Sequence, residues 1–102
     1  MAHEIVFHDD AVADLTALYD YIAENSSPEI AIRYIRRIRG VCMRLATFPE
    51  RGQRRDDILP GLRTIGFERR ATIAFRVLKT RVEIVSIAYG GRDFERDLRK
   101  DK

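Results

Sequence analysis

The stretch from Arg70 to Asp93, RATIAFRVLKTRVEIVSIAYGGRD, restricts the possible folds more than any other part of the chain. Two β-rich runs, 73–78 and 82–89, flank the polar break Lys79-Thr80-Arg81. β-Branched and aromatic residues suit a pleated, half-buried surface, and a break this short cannot hold a crossover. The two runs are therefore read as an antiparallel hairpin. Alternation places Ile73, Phe75 and Val77 on one face of the first run, and Ala74, Arg76 and Leu78 on the other. In the second run Val85, Ile87 and Tyr89 share a face with Glu83, while Val82, Ile84, Ser86 and Ala88 line the reverse. Neither face is polar throughout, so the hairpin requires cover on one side and a partner on the other. The break lacks the Asn-Gly or Asp-Gly that tight hairpin turns prefer, which leaves the register open.

The upstream residues are suited to supply that cover. Glu4-Ile5-Val6-Phe7 is a short strand, and Asp9 or Asp10 can cap a helix from about Ala11 to Glu24. Val12, Leu15, Leu18, Tyr19 and Ile22 recur at helical spacing and form its apolar stripe. Ser27-Pro28-Glu29 opens a second helix, with Ser27 as N-cap and Pro28 at the first helical position. It is expected to run to Ala46 or Thr47, with Ala31, Tyr34, Ile35, Ile38, Val41, Cys42 and Leu45 inward. Arg33, Arg36, Arg37, Arg39 and Arg44 take the outer arc, and Gly40 in its midst has no local explanation. Pro49 and Gly52 stop this helix, 51–57 is a charged loop, and Leu62 to Phe67 is a further strand. Gly90-Gly91 breaks the last strand, and Asp93 to Lys100 is read as a short terminal helix. The order β-α-α-β-β-β argues for an α+β domain, a helical hairpin on one face of a small antiparallel sheet.

At 102 residues the chain is read as one domain, 1–102. Its 45% hydrophobic and 34% charged residues are those of a globular protein, and no apolar run reaches the ~20 residues of a membrane span. Met1-Ala2-His3-Glu4 has no signal-peptide character and Cys42 is the lone cysteine, so a cytoplasmic location is expected. Cys42 itself is expected to be a small buried hydrophobe.

Charge is divided along the chain. Residues 1–32 carry seven acidic side chains and no Lys or Arg, whereas all 19 basic residues lie from Arg33 onward, against nine acidic ones. Such an excess is either a well-solvated surface or a face for an acidic partner, nucleic acid or an acidic protein. Sixteen of the 19 are Arg, whose planar fork suits carboxylate and phosphate.

No standard catalytic signature is present: no phosphate-binding glycine loop, no metalloprotease motif and no Cys-His cluster. His3 and His8 with one cysteine do not make a usual zinc site, so neither metal nor cofactor is expected. One cluster could carry chemistry. Arg63, Arg76 and Tyr89 could meet on the sheet face away from the helices, two guanidinium groups holding a phosphate and a phenol moving a proton. The alternative is that these arginines pair with Glu83, Glu68 or an acidic partner.

The chain resembles the RelE/ParE superfamily of type II toxin–antitoxin toxins, and within it ParE. The resemblance rests on Asp14-Leu15, Tyr19 to Ala23 and Ser27-Pro28-Glu29, then Leu45-Ala46, Phe48-Pro49 and Gly52. It continues through Pro60-Gly61-Leu62-Arg63, Ile73 to Val77, Val82, Ile84 and Gly90 to Asp93, and so covers nearly the whole chain. It implies a small toxin silenced by a cognate ParD-like antitoxin, acidic and partly disordered when free. ParE-like toxins act on DNA gyrase and trap its cleaved-DNA intermediate. RelE-like relatives cut messenger RNA on the ribosome with basic residues and a His or Tyr near the last strand. This chain has Tyr89 where many relatives carry His, and its loop before the second strand has Arg51, Arg54 and Arg55 but no Lys. Those departures favour gyrase inhibition without a catalytic site. A ribonuclease using Arg63, Arg76 and Tyr89 is the second expectation, and a degenerate, non-toxic interaction module the third. The antitoxin is expected to contact Leu59, Leu62, Arg63, Phe67 and Arg76. No sequence-specific nucleic-acid binding by the toxin alone and no membrane association are expected.

Overall fold

The computed structural model describes residues 2–90. The elements run β1 (Glu4–Phe7), α1 (Asp9–Asn25), α2 (Pro28–Arg44), β2 (Gln53–Arg54), β3 (Leu62–Phe67), β4 (Ala71–Val77) and β5 (Arg81–Tyr89). The strands form one sheet in the order β1-β5-β4-β3-β2, with the helical hairpin packed on one face. The α+β architecture is as expected; the sheet is mixed rather than purely antiparallel, because β1 runs parallel to β5. Alternation along four residues carries no information about strand direction, which is why the sequence did not reveal this. The expected terminal helix lies outside the described residues.

The anchoring hairpin is present, with Val77 opposite Val82 and Leu78 N–H closing on the Arg81 carbonyl at 2.8 Å. Its faces differ from a strict alternation. Ala74 pairs with Ser86 but Phe75 pairs with Ile84, so Val85 is an extra residue, a β-bulge. Its effect is to shift the phase of β5. Val82 and Ile84 before the bulge and Ile87 and Tyr89 after it all face the helices, together with Ile73 and Phe75. Val85 turns to the opposite face and packs with Ala74.

That opposite face has its own cover. The loop between β2 and β3 tucks Ile58, 1% exposed, against Leu62, Ala74 and Val85, with Leu59 beside it. The Asp56 carboxylate holds the loop by accepting the Gly61 N–H at 2.8 Å, and this bond, ahead of nearby Arg54, keeps its pKa below the usual carboxylate range. The expected partner for the second face is thus partly the chain itself.

Ser27 caps α2 as expected, accepting the Ile30 N–H at 3.1 Å. α1 starts earlier than expected: His8 is its N-cap, without a side-chain bond, so Asp9 and Asp10 lie in the first turn. There they favour the positive end of the helix dipole instead of capping it. Ile22, Ile38 and Leu45 are buried as expected, but Leu15 is half-buried and Val12 is 50% exposed. The α1 stripe is shared: Ala11, Leu18 and Ile22 enter the core, and Val12, Leu15 and Tyr19 border a groove between the helices. Cys42 is fully buried, and desolvation pushes its thiol up to about 12.

The β3–β4 turn puts two non-glycine residues at positive φ, Glu68 at 49° and Arg69 at 60°. That backbone is costly for L-residues with side chains. A two-pronged ion pair from Arg37 of α2 to Glu68, at 2.8 and 3.1 Å, ties the turn to the helix.

Candidate functional site

The three residues that could have formed a catalytic centre do not converge. Arg63 on β3 stands opposite Phe75, and Arg76 on β4 stands opposite Leu62 and Glu83. Directly paired residues share a sheet face. Arg63 therefore lies on the helix side with Phe75, while Arg76 lies on the side covered by the 55–61 loop with Leu62. Tyr89 stands opposite Ala71 on the helix side, four residues along β4 from Phe75, about 13 Å at strand spacing. A phosphate held by one of these arginines is out of reach of the other two groups.

Each residue has a local environment of its own. Arg63 Nη1 donates to the Arg51 carbonyl at 3.4 Å, a contact with the chain entering β2. Arg76 carries a buried Nε without a hydrogen-bond partner. Its cross-strand neighbour Glu83 is engaged elsewhere, with Arg81 at 3.0 Å and His8 at 3.2 Å. The Arg81 guanidinium, more than His8, holds the Glu83 carboxyl below its ordinary range.

Tyr89 belongs to an aromatic chain. Its ring meets Tyr34 edge-on at 5.8 Å and Tyr21 at 5.9 Å, and Tyr34 meets Phe67 edge-on at 5.4 Å. The Tyr34 hydroxyl is buried without a partner, and burial first, then Tyr89 and Glu68, raise its pKa. Tyr89 in this setting packs the end of the sheet against both helices.

The residues expected to meet a partner are also divided. Leu62 is fully buried and Phe67 is 6% exposed, so both are core; Leu59, Arg63 and Arg76 are half-buried. The sequence assigned Leu62 and Phe67 to a surface because nothing in it showed that Ile58 would fold over the one and Tyr34 over the other.

The groove between the helices was not foreseen. It encloses about 430 Å³ and is lined by Val12, Leu15, Thr16 and Tyr19 from α1, Ile35 and Arg39 from α2, and Phe7 from β1. The Arg39 guanidinium stands 6.0 Å from the Phe7 ring at its rim. Among the described residues no group of three or more His, Cys, Asp or Glu could hold a metal ion, and no helix is long and apolar enough to cross a membrane.

Comparisons with known proteins agree with this architecture. A chain in the solved structure described as the chromosomal ParDE TA system from P. aeruginosa superposes with a TM-score of 0.76 and 28% sequence identity, over 87% of this chain and 97% of that one. Toxin ParE3 of Caulobacter vibrioides is 39% identical over 51 residues, which is 50% of this chain and 51% of that protein. The matched stretch thus spans about half of that curated relative. The sequence model of one family, described as the ParE toxin of the type II toxin–antitoxin system parDE, matches residues 5–94, and the chain belongs to that family.

Proposed function

We propose that this member of the ParE family acts on DNA gyrase in the cytoplasm and is neutralised by a ParD-like antitoxin. The observation that carries the choice of target is the separation of Arg63, Arg76 and Tyr89. A ribonuclease needs a phosphate-holding pair and a proton-transferring group at one point. Here two arginines lie on opposite faces and the tyrosine is packed between helices. A toxin that acts by binding a large protein needs no such point.

The antitoxin reading draws on the helical groove. Its apolar lining, exposed Val12 and the Arg39 rim suit the apolar face of an acidic helix, which orders as it docks. Half-buried Arg76, and Leu59 at the edge of the small cluster on the far sheet face, offer a second contact for an acidic strand of the same partner.

The test adds purified protein separately to gyrase with supercoiled DNA and to translating ribosomes. Gyrase-linked broken DNA, without codon-phased cuts in messenger RNA, supports this reading. Ribosome-dependent cleavage overturns it, and inactivity in both assays assigns the chain to a non-toxic interaction module.

A further inference from the structure

We infer that one flank of α2, together with the β3–β4 turn, is a docking surface for the sugar-phosphate backbone of duplex DNA. At 100° per residue, Arg33, Arg37, Gly40 and Arg44 fall on one side of α2, away from the groove. The Arg37–Glu68 ion pair brings the turn against that side, and Glu68 is followed by Arg69 and Arg70, both exposed. Arg37 and Arg70 both act electrostatically on the Tyr34 hydroxyl, which places them around the same corner. The result is a ridge in which Arg37 is spent on holding the turn and four guanidinium groups, Arg33, Arg44, Arg69 and Arg70, face solvent.

Among the described residues these four make no ion pair with a carboxylate. Their charge is therefore not held in an ion pair, unlike that of Arg54, Arg55 and Arg81, and Glu29, one turn before Arg33, is the one carboxylate that α2 itself places on that side. The stripe from Arg33 to Arg44 extends about 16 Å along the helix axis. A DNA strand gains about 3.4 Å of axial rise per phosphate while winding around the duplex, so a straight stripe of this length meets only a few successive phosphates. Gly40 sits at its middle with only the Arg44 guanidinium within reach of an added Cβ, at 3.8 Å. The packing does not require a glycine there, and the Arg44 guanidinium lies over it.

The chemistry of the flank distinguishes DNA from an acidic protein. Protein interfaces centre on apolar and aromatic residues with charge depleted, whereas DNA interfaces are polar and strongly positive. Exposed Ile32 and Met43 lie towards the groove side of α2 with Arg39, and Arg36, one turn before Gly40, borders the ridge; on the ridge only Ile30, in the first turn, is an exposed apolar residue. Arginine forks match phosphate oxygens in pairs. Contacts of this kind read no sequence. The ridge goes beyond the gyrase reading: it gives the toxin a direct hold on the DNA.

The experiment measures fluorescence anisotropy of a labelled 30-base-pair duplex of arbitrary sequence, titrated with the whole protein across a salt series without gyrase. Binding should weaken with salt, log affinity falling against log salt with a slope near 3 to 4 for four phosphates. R33Q/R70Q should lower that slope by about two and the low-salt affinity at least tenfold. R39Q/R81Q, an equal change of charge on the β1 side, where Arg39 lies over Phe7 and Arg81 stands opposite Glu4, should leave the slope nearly unchanged. Circular dichroism melts identify any variant that fails to fold, and R33K/R70K, which keeps the charge without the fork, should fall between. No salt-dependent binding, or equal losses from both pairs, overturns the proposal. So does capture of an acidic peptide by the ridge when the duplex is not bound. Because gyrase is absent, failure here leaves the target reading untouched, and failure of the gyrase assay leaves this result standing.

Discussion

The carboxylate of Asp14 in α1 accepts the backbone N–H of Ile87 in β5 at 2.9 Å. β1 covers the edge of β5 only from Arg81 to Ile84, so beyond that point the edge has no strand partner. Asp14 takes the place of one. Unsatisfied buried backbone donors are costly, and Asp14→Ala should destabilise the fold by about 1–3 kcal/mol. Asp14→Asn keeps an acceptor oxygen and should cost clearly less. Urea denaturation of the two variants checks this; equal losses would mean that the hydrogen bond is not the reason.

Ile38 and Leu45 are fully buried at the centre of the helix–sheet contact, and truncation of either to Ala should cost about 2–5 kcal/mol. Leu15→Ala should cost less, because Leu15 is half-buried at the groove. Exposed Arg33→Ala should stay within about 0.5 kcal/mol. Denaturant midpoints give the ranking, and an Arg33 variant weaker than the Leu15 variant would contradict the burial pattern.

Two glycines should respond in opposite directions. Gly40→Ala places its methyl in ordinary contact with the Arg44 guanidinium, 3.8 Å away, and should stabilise by about 0.5–1 kcal/mol. Gly52 has φ +75° and an added Cβ there would strike the Thr64 carbonyl oxygen, so Gly52→Ala should destabilise and loosen the pairing of β2 with β3. Thermal melts of the two variants separate these outcomes.

Acid should weaken the fold through its paired carboxylates. Glu68 beside Arg37, Glu83 beside Arg81 and His8, and Asp56 on the Gly61 N–H all titrate below their ordinary range in the folded state. A depressed folded pKa contributes stability that is complete above the unfolded value and is lost as pH falls through the folded one. Stability measured from pH 7 downward should therefore decline through the carboxylate range, and Glu68→Gln should flatten part of that decline. An unchanged profile in this variant would show that the Arg37 pair does not contribute.

Tyr89→Phe removes a hydroxyl and keeps a ring that packs on Tyr34 and Tyr21. The protein should fold normally and, if the proposed action on gyrase holds, the variant should be as toxic to cells as the parent. Loss of toxicity in a folded variant would point to proton transfer by the phenol.

The hairpin, both helices and the Ser27 cap could be read from the residues because local patterns encode them: β-branched runs, helical spacing and a Ser-Pro-Glu start. What escaped was decided by contacts between distant segments. The bulge at Val85 is invisible in a strand apolar on both sides, since either phase looks equally good. Ile58 looks like part of a charged loop until it is seen against Ala74 and Val85. β2, two residues long, has no pattern to detect. Placing Arg63, Arg76 and Tyr89 on one face followed from an unbroken alternation and an assumed register, and the actual pairing separates them.

The pairing of β1 with β5 also has a consequence in time. β1 has no other strand neighbour, and β5 is the last described strand to leave the ribosome. At ~5–20 residues per second, the roughly 45 residues from the end of α2 to the end of β5 take about 2–9 s to make. Until that interval ends the helical hairpin lacks β5, whose Val82, Ile84 and Ile87 complete the core, and the faces of Leu18 and Ile38 are not fully covered. A partner already present can therefore reach those faces before the sheet covers them.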